Sequence, residues 1–149
     1  MALRVETEVE LKSPPEKIYN LFKKEAYLIP AASPTNLQTV EVHEGDWETH
    51  GSVKLWKYTL EGNAETFKER IELDDENLKV TLVGLDGDVF KFYKSYKIII
   101  HYVPKGEGTL AKVALEYEKL SEHVPDPIYK YLALVVTLTK DKDAHLAKA

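Results

Sequence analysis

The segment Pro125-Asp126-Pro127-Ile128-Tyr129-Lys130-Tyr131-Leu132-Ala133-Leu134-Val135-Val136-Thr137-Leu138-Thr139-Lys140 differs from everything before it in its periodicity. Ile128, Tyr131, Leu132, Val135, Leu138, Thr139, Lys142 and Leu146 recur at helical spacing, which lays them along one side of a helix. Asp126 is expected to cap this helix and Pro127 to take its first position. Lys140, Lys142 and Lys148 suit the negative pole of its dipole. The spacing predicts a C-terminal helix of about 20 residues. A helix with one apolar side must be covered by another layer.

The rest of the chain supplies that layer. From Arg4 to Lys12 the residues alternate, with Val5, Thr7, Val9 and Leu11 on one face, as in a half-buried strand. Six further strand-like runs follow: Asn36–Glu44, Ser52–Leu60, Ala64–Asp74, Asn77–Gly84, Val89–Val103 and Thr109–Leu120. They are separated by turn residues such as Glu61-Gly62-Asn63 and Gly87-Asp88. Between the first two runs, Ser13 offers an N-cap before Pro14-Pro15-Glu16, and Ile18, Tyr19, Leu21 and Phe22 form a short helix ending near Lys24. Glu25 to Pro34 reads as a second short helix or turn. The order predicts an α+β fold in which one antiparallel sheet covers the last helix, residues 1–149 forming a single domain.

Composition narrows the chemistry. The 149 residues include no cysteine, which excludes disulfides, thiolate metal sites and cysteine nucleophiles. The 25 acidic against 20 basic residues give a net charge of −5, and a chain of that sign has no overall field to attract phosphate backbones. No nucleic acid partner is expected. The N-terminus lacks the features of a signal peptide, and no apolar run approaches a membrane span of about 18 residues. The expectation is a soluble, intracellular protein of the cytoplasm without stable membrane insertion.

The strand faces indicate where function would lie. In Val89–Val103 the even positions, Phe90, Phe92, Lys94, Tyr96, Ile98, Ile100 and Tyr102, are read as the inner face. Val113 and Tyr117 turn inward in Thr109–Leu120, and Leu82 in Asn77–Gly84. Lys54, Trp56 and Tyr58 share one face of Ser52–Leu60. A solid core would use Leu, Ile and Val in place of so many tyrosines, whose hydroxyls need partners when buried. Apolar walls with a few polar groups suit a ligand cavity. Lys54, Glu69 and Lys94 are charged residues on otherwise apolar faces. Each is either turned outward, by snorkelling or a β-bulge, or is a ligand anchor or acid–base group.

The segment Val42-His43-Glu44-Gly45-Asp46-Trp47-Glu48-Thr49-His50-Gly51-Ser52-Val53-Lys54-Leu55-Trp56 resembles the major latex protein branch of the plant Bet v 1-like superfamily. Lys68-Glu69-Arg70-Ile71-Glu72, Gly87-Asp88 followed by Tyr93-Lys94-Ser95-Tyr96, and Glu116-Tyr117-Glu118-Lys119 resemble further stretches of that branch. The similarity runs from about Val5 into the last helix. It implies a helix-grip (Bet v 1/START-like) fold: a seven-stranded antiparallel sheet wrapped around a long C-terminal helix, with two short helices in a V and a large apolar cavity. It also implies binding of hydrophobic plant metabolites such as steroids, flavonoids, hormones or alkaloids, and a link to defence and stress. Some relatives are enzymes of alkaloid biosynthesis, and ribonuclease activity has been proposed for the superfamily. One departure matters: Glu44–Ser52 keeps only Gly45 and Gly51, among Glu44, Asp46 and Glu48, so the loop repels phosphate and reads as a rigid rim.

A carrier or sensor of a small hydrophobic molecule is therefore expected, as a monomer or weak dimer and without cofactor or metal. The expected cavity wall comprises Phe22, Tyr27, Lys54, Trp56, Tyr58, Glu69 and Leu82, together with Tyr96, Ile98, Val113, Tyr117, Tyr131, Val135 and Leu138. Trp56 would stack on a ring and Lys54 or a tyrosine would hold a polar group. The alternative is an isomerase or condensing enzyme with Lys54, Glu69, Lys94 and Tyr96 as candidate acid–base groups. The five histidines form no pair or metal-ligand spacing.

Overall fold

In a computed structural model, which describes residues 2–148, the alternating N-terminal segment forms β1 (Leu3–Leu11). It leads into α1 (Pro15–Lys24), a 3₁₀ turn (Ala26–Leu28) and the short α2 (Ile29–Ala32). Six strands follow: β2 (Leu37–Glu44), β3 (Val53–Leu60), β4 (Asn63–Asp74), β5 (Lys79–Gly87), β6 (Tyr93–Lys105) and β7 (Gly108–Lys119). The chain then forms α3 (Ile128–Ala147). All strand pairs are antiparallel, in the order β1-β7-β6-β5-β4-β3-β2. This is the helix-grip arrangement: one seven-stranded sheet and two short helices around a long C-terminal helix.

The apolar stripe of α3 faces inward, with Ile128, Tyr131, Leu132, Val135, Thr139, Lys142 and Asp143 buried. Burying this side removes apolar surface from water, and the sheet's inward residues meet it with Trp56, Tyr58, Phe67, Leu82, Tyr96, Ile98 and Ile100. Near its C-terminal end α3 is fastened by Asp143, whose two carboxylate oxygens accept the backbone N–H groups of Lys12 and Ser13, each at 2.9 Å. The Thr109 hydroxyl donates to the Ser13 carbonyl at 2.7 Å and closes the same corner.

Local chemistry departs from the sequence reading at three places. Ser13 does not cap α1: Pro14 occupies the cap position, and the Ser13 N–H belongs to Asp143. Asp126 does not cap α3 either. The helix begins after Pro127 without a side-chain cap, and Asp126 accepts the Tyr93 hydroxyl at 2.6 Å. The third concerns Val89–Val103, whose first residues form a 3₁₀ turn, Asp88–Lys91, with a register shift between Tyr93 and Ser95. A bulge reverses which side chains face the core, so Tyr93 is fully buried and Lys94 is exposed beside Glu118.

A second irregularity lies between β4 and β5, where Lys68 pairs with Asp86 and Glu69 with Gly84, leaving Leu85 between them. Gly87 ends β5 at φ 132°, and a Cβ there would stand 2.3 Å from the Thr66 carbonyl oxygen. Only glycine fits both the conformation and the approach.

Candidate functional site

Between α3 and the middle of the sheet the side chains do not close. The hollow is walled by Trp56 and Tyr58 of β3, Phe67 of β4, Leu82 of β5, and Tyr96, Ile98 and Ile100 of β6. Phe22 of α1, Ile29 of α2, Leu37 and Val89 complete that side. Helix α3 contributes Tyr131, Leu134, Val135, Leu138, Thr139 and Lys142. From Tyr131 to Lys142 the helix rises roughly 16 Å at 1.5 Å per residue, so the hollow is elongated along it.

Its free space is about 80 Å³, counted as positions open to the centre of a water molecule. An elongated space of this kind suits a ring compound or a flexible aliphatic chain lying along the helix. The large cavity implied by the sequence resemblance is thus narrowed here by aromatic rings: Phe22 lies 5.9 Å from Trp56, Phe67 5.5 Å from Tyr96, and Tyr96 5.8 Å from Tyr131, centroid to centroid.

Of the expected wall residues, Phe22, Trp56, Tyr58, Leu82, Tyr96, Ile98, Tyr131, Val135 and Leu138 line the hollow. Tyr27 does not; it is 50% exposed and packs edge-on against Trp47 at 5.3 Å. Val113 is buried on β7 where α3 rests on β7 and β1, and the Tyr117 ring packs against Tyr93 at 5.1 Å. Lys54 and Glu69 are buried cross-strand partners on β3 and β4, away from the hollow's wall.

Several polar groups of the interior are satisfied. The Tyr58 and Tyr131 hydroxyls both donate to Glu65 Oε1, at 2.8 and 2.9 Å. Burial and these bonds push both phenols far above their ordinary pKa. The Trp56 indole N–H donates to Glu69 Oε1 at 2.8 Å, while Glu69 Oε2 is buried without a hydrogen-bond partner. Burial pushes the Glu69 carboxyl up to about 7, against the Trp56 hydrogen bond and the nearby Lys54 charge. Burial likewise lowers Lys54, opposed by Glu69 and Asp46.

Lys142 is the charged residue on the wall; it was expected on the inward side of the helix and as a partner of its dipole, but not among the cavity residues. It is 2% exposed, and its Nζ lies 4.3 Å from the Phe22 ring centroid and 3.5 Å from the Tyr102 hydroxyl. Burial lowers its pKa to about 7. The signal was in the helical spacing, since Lys142 follows Leu138 by four and Thr139 by three residues on the apolar stripe. Ile29 of α2, Leu37 at the start of β2, and Phe67 and Ile100 from the middle of β4 and β6 also join the wall.

The loop from Glu44 to Ser52 is held by its own bonds. Asp46 Oδ1 accepts the backbone N–H groups of Glu48 and Thr49, and the Asp46 N–H donates to Ser52 Oγ. His50, exposed at the end of this loop, accepts the Leu73 N–H on its Nδ1 at 2.9 Å. Among the described residues no group of His, Asp and Glu is arranged to hold a metal ion, and no helix is long and apolar enough to cross a membrane.

Comparison with known proteins agrees with this fold. The pathogenesis-related protein Bet v 1 family matches residues 1–149. The chain is 40% identical over 144 residues to MLP-like protein 328 of Arabidopsis thaliana, covering 96% of this chain and 95% of that one. It is 35% identical over 146 residues to major latex protein 149 of Papaver somniferum, covering 97% and 89%. In three dimensions it resembles major latex-like protein 151 of Panax ginseng with a TM-score of 0.91 and 34% identity, covering 97% of each chain.

Proposed function

The chain belongs to the pathogenesis-related protein Bet v 1 family, and on that premise we propose that it is a carrier or sensor of small hydrophobic plant metabolites. The observation that carries the reading is the hollow along α3, walled almost wholly by apolar and aromatic side chains with few polar groups. Ligand sites are of this type. A phenolic, a hormone-sized ring compound or a short-chain lipid matches its free space. Binding is preferred to acid–base catalysis in the same cavity, because of the expected acid–base groups Tyr96 is on its wall while Lys54, Glu69 and Lys94 are not, which leaves that tyrosine without the expected partners. Action in the cytoplasm, as a monomer or weak dimer, in defence or stress belongs to the same proposal and is supported by the similarity to major latex proteins.

The two tryptophans provide the test. Trp56 is on the cavity wall and Trp47 packs outside it against Tyr27. On titration with an apolar ring compound, Trp56→Phe is expected to lose most of the change in tryptophan fluorescence and Trp47→Phe to keep it. The reverse pattern would place binding outside the cavity.

A further inference from the structure

The hollow is apolar along its length, yet Lys142 stands on its wall at one end, with the Tyr102 hydroxyl beside it. Lys142 comes from the buried stripe of α3 and Tyr102 from the buried face of β6. Both are almost fully buried, at 2% and 1% exposed, and Nζ and the hydroxyl oxygen are 3.5 Å apart. Among the described residues no carboxylate pairs with Lys142, and no acceptor takes the Tyr102 hydroxyl proton.

The neighbouring acids are already engaged. On α3 itself, Asp143 is bonded to the Lys12 and Ser13 N–H groups, and Asp141 accepts the Ser33 hydroxyl at 2.6 Å. From α1, Phe22 presents its ring, and the Tyr19 hydroxyl donates to Asp75, which also holds Lys23. Thr139 gives its hydroxyl proton to the Val135 carbonyl at 2.8 Å. An unpaired amine in an apolar site is costly as a cation. It is retained here on the wall of the hollow, with the Tyr102 hydroxyl as its neighbour.

We infer that Lys142 and Tyr102 form a head-group subsite of this cavity, and that the ligand it takes is a small hydrophobic molecule ending in a carboxylate. The inference rests on the binding function proposed above and specifies its ligand class. The carboxylate accepts one hydrogen bond from the Lys142 ammonium and one from the Tyr102 hydroxyl, while its apolar body lies along α3 against Phe22, Leu138 and Ile100. The ion pair forms in a low-dielectric site, where charge-assisted hydrogen bonds are strong. Burial without an anion holds the free lysine near a pKa of 7. An anion bound beside it favours the charged amine, so binding above neutral pH takes up a proton.

Octanoate and its uncharged analogue 1-octanol are the probes, with calorimetry as the readout. Wild-type protein is expected to bind octanoate with uptake approaching one proton per site at about pH 8, and 1-octanol with none. Lys142→Met should weaken octanoate by about tenfold or more relative to 1-octanol measured on the same variant, and Tyr102→Phe by several-fold on the same ratio. If octanoate and 1-octanol bind wild type and Lys142→Met alike, without proton uptake, the subsite is overturned and the binding function stands. If neither probe binds the folded wild-type protein, both fall. Should Lys142→Met fail to fold, proton uptake by wild type and the Tyr102→Phe comparison decide the matter.

Discussion

Glu69 brings two carboxylate oxygens into a fully buried place that offers a donor to one of them, the Trp56 indole N–H. Its folded pKa, about 7, lies above the ordinary 4.5 because burial disfavours the charge. Between these values the folded state binds more protons than the unfolded state, so stability falls as pH rises through the interval. Lys142 behaves in the opposite sense: its folded pKa of about 7 lies below the ordinary 10.5. Above about pH 7 the unfolded state binds the extra proton, and stability rises with pH. Glu69→Gln is therefore expected to flatten the decline between about pH 5 and 7, which amounts to about 2–3 kcal/mol. Lys142→Met should flatten the rise between about pH 7 and 9. Urea unfolding at a series of pH values checks both; a Glu69→Gln profile parallel to wild type would show that this carboxyl is not held protonated by the fold. At this scale the sequence was informative where one side chain continued a stripe, as with Trp56 or Val135. Where a bulge intervened, as with Lys94, a charge on an apolar face marked an outward turn as one of two readings, and alternation alone did not choose between them.

Helix α3 is joined to the start of the chain by one aspartate. Asp143 satisfies two backbone N–H groups at the turn from β1 into α1, a corner where neither residue has a strand or helix partner to donate to. Removing it with Asp143→Ala leaves two donors unpaired, and a destabilisation of about 2–4 kcal/mol is expected in urea unfolding. Asp143→Asn keeps one acceptor oxygen but sets its NH₂ against the other N–H, and should lose at least about half as much. A loss below about 0.5 kcal/mol in the alanine variant would mean that the corner is held by other contacts. The elements themselves were legible: alternation marked β1, and helical spacing marked α3 almost residue for residue. Their caps were not. Ser13 and Asp126 have the right chemistry for capping, but Asp143 and Tyr93 reach them from distant parts of the chain, and local sequence does not record such partners.

Across the whole molecule, the sheet surrounds α3 without filling the space beneath it. Tyrosines at inward positions indicated such a space, and several do place their hydroxyls on carboxylates, as Tyr58 and Tyr131 do on Glu65. The volume was not legible, because it depends on how Phe22, Trp56, Phe67 and Tyr96 lean on one another across different elements. Nor was the boundary of the hollow, since Val113 and Tyr117 obey the same alternation as Ile98 but lie where α3 and neighbouring rings pack against them. Binding inside this hollow is the central claim, and magnetisation transfer between bound 1-octanol and protein methyl groups tests it most directly. Contacts to Ile98, Leu82 and Val135 are the predicted result; contacts confined to the exposed Leu85 and Leu120 would contradict it.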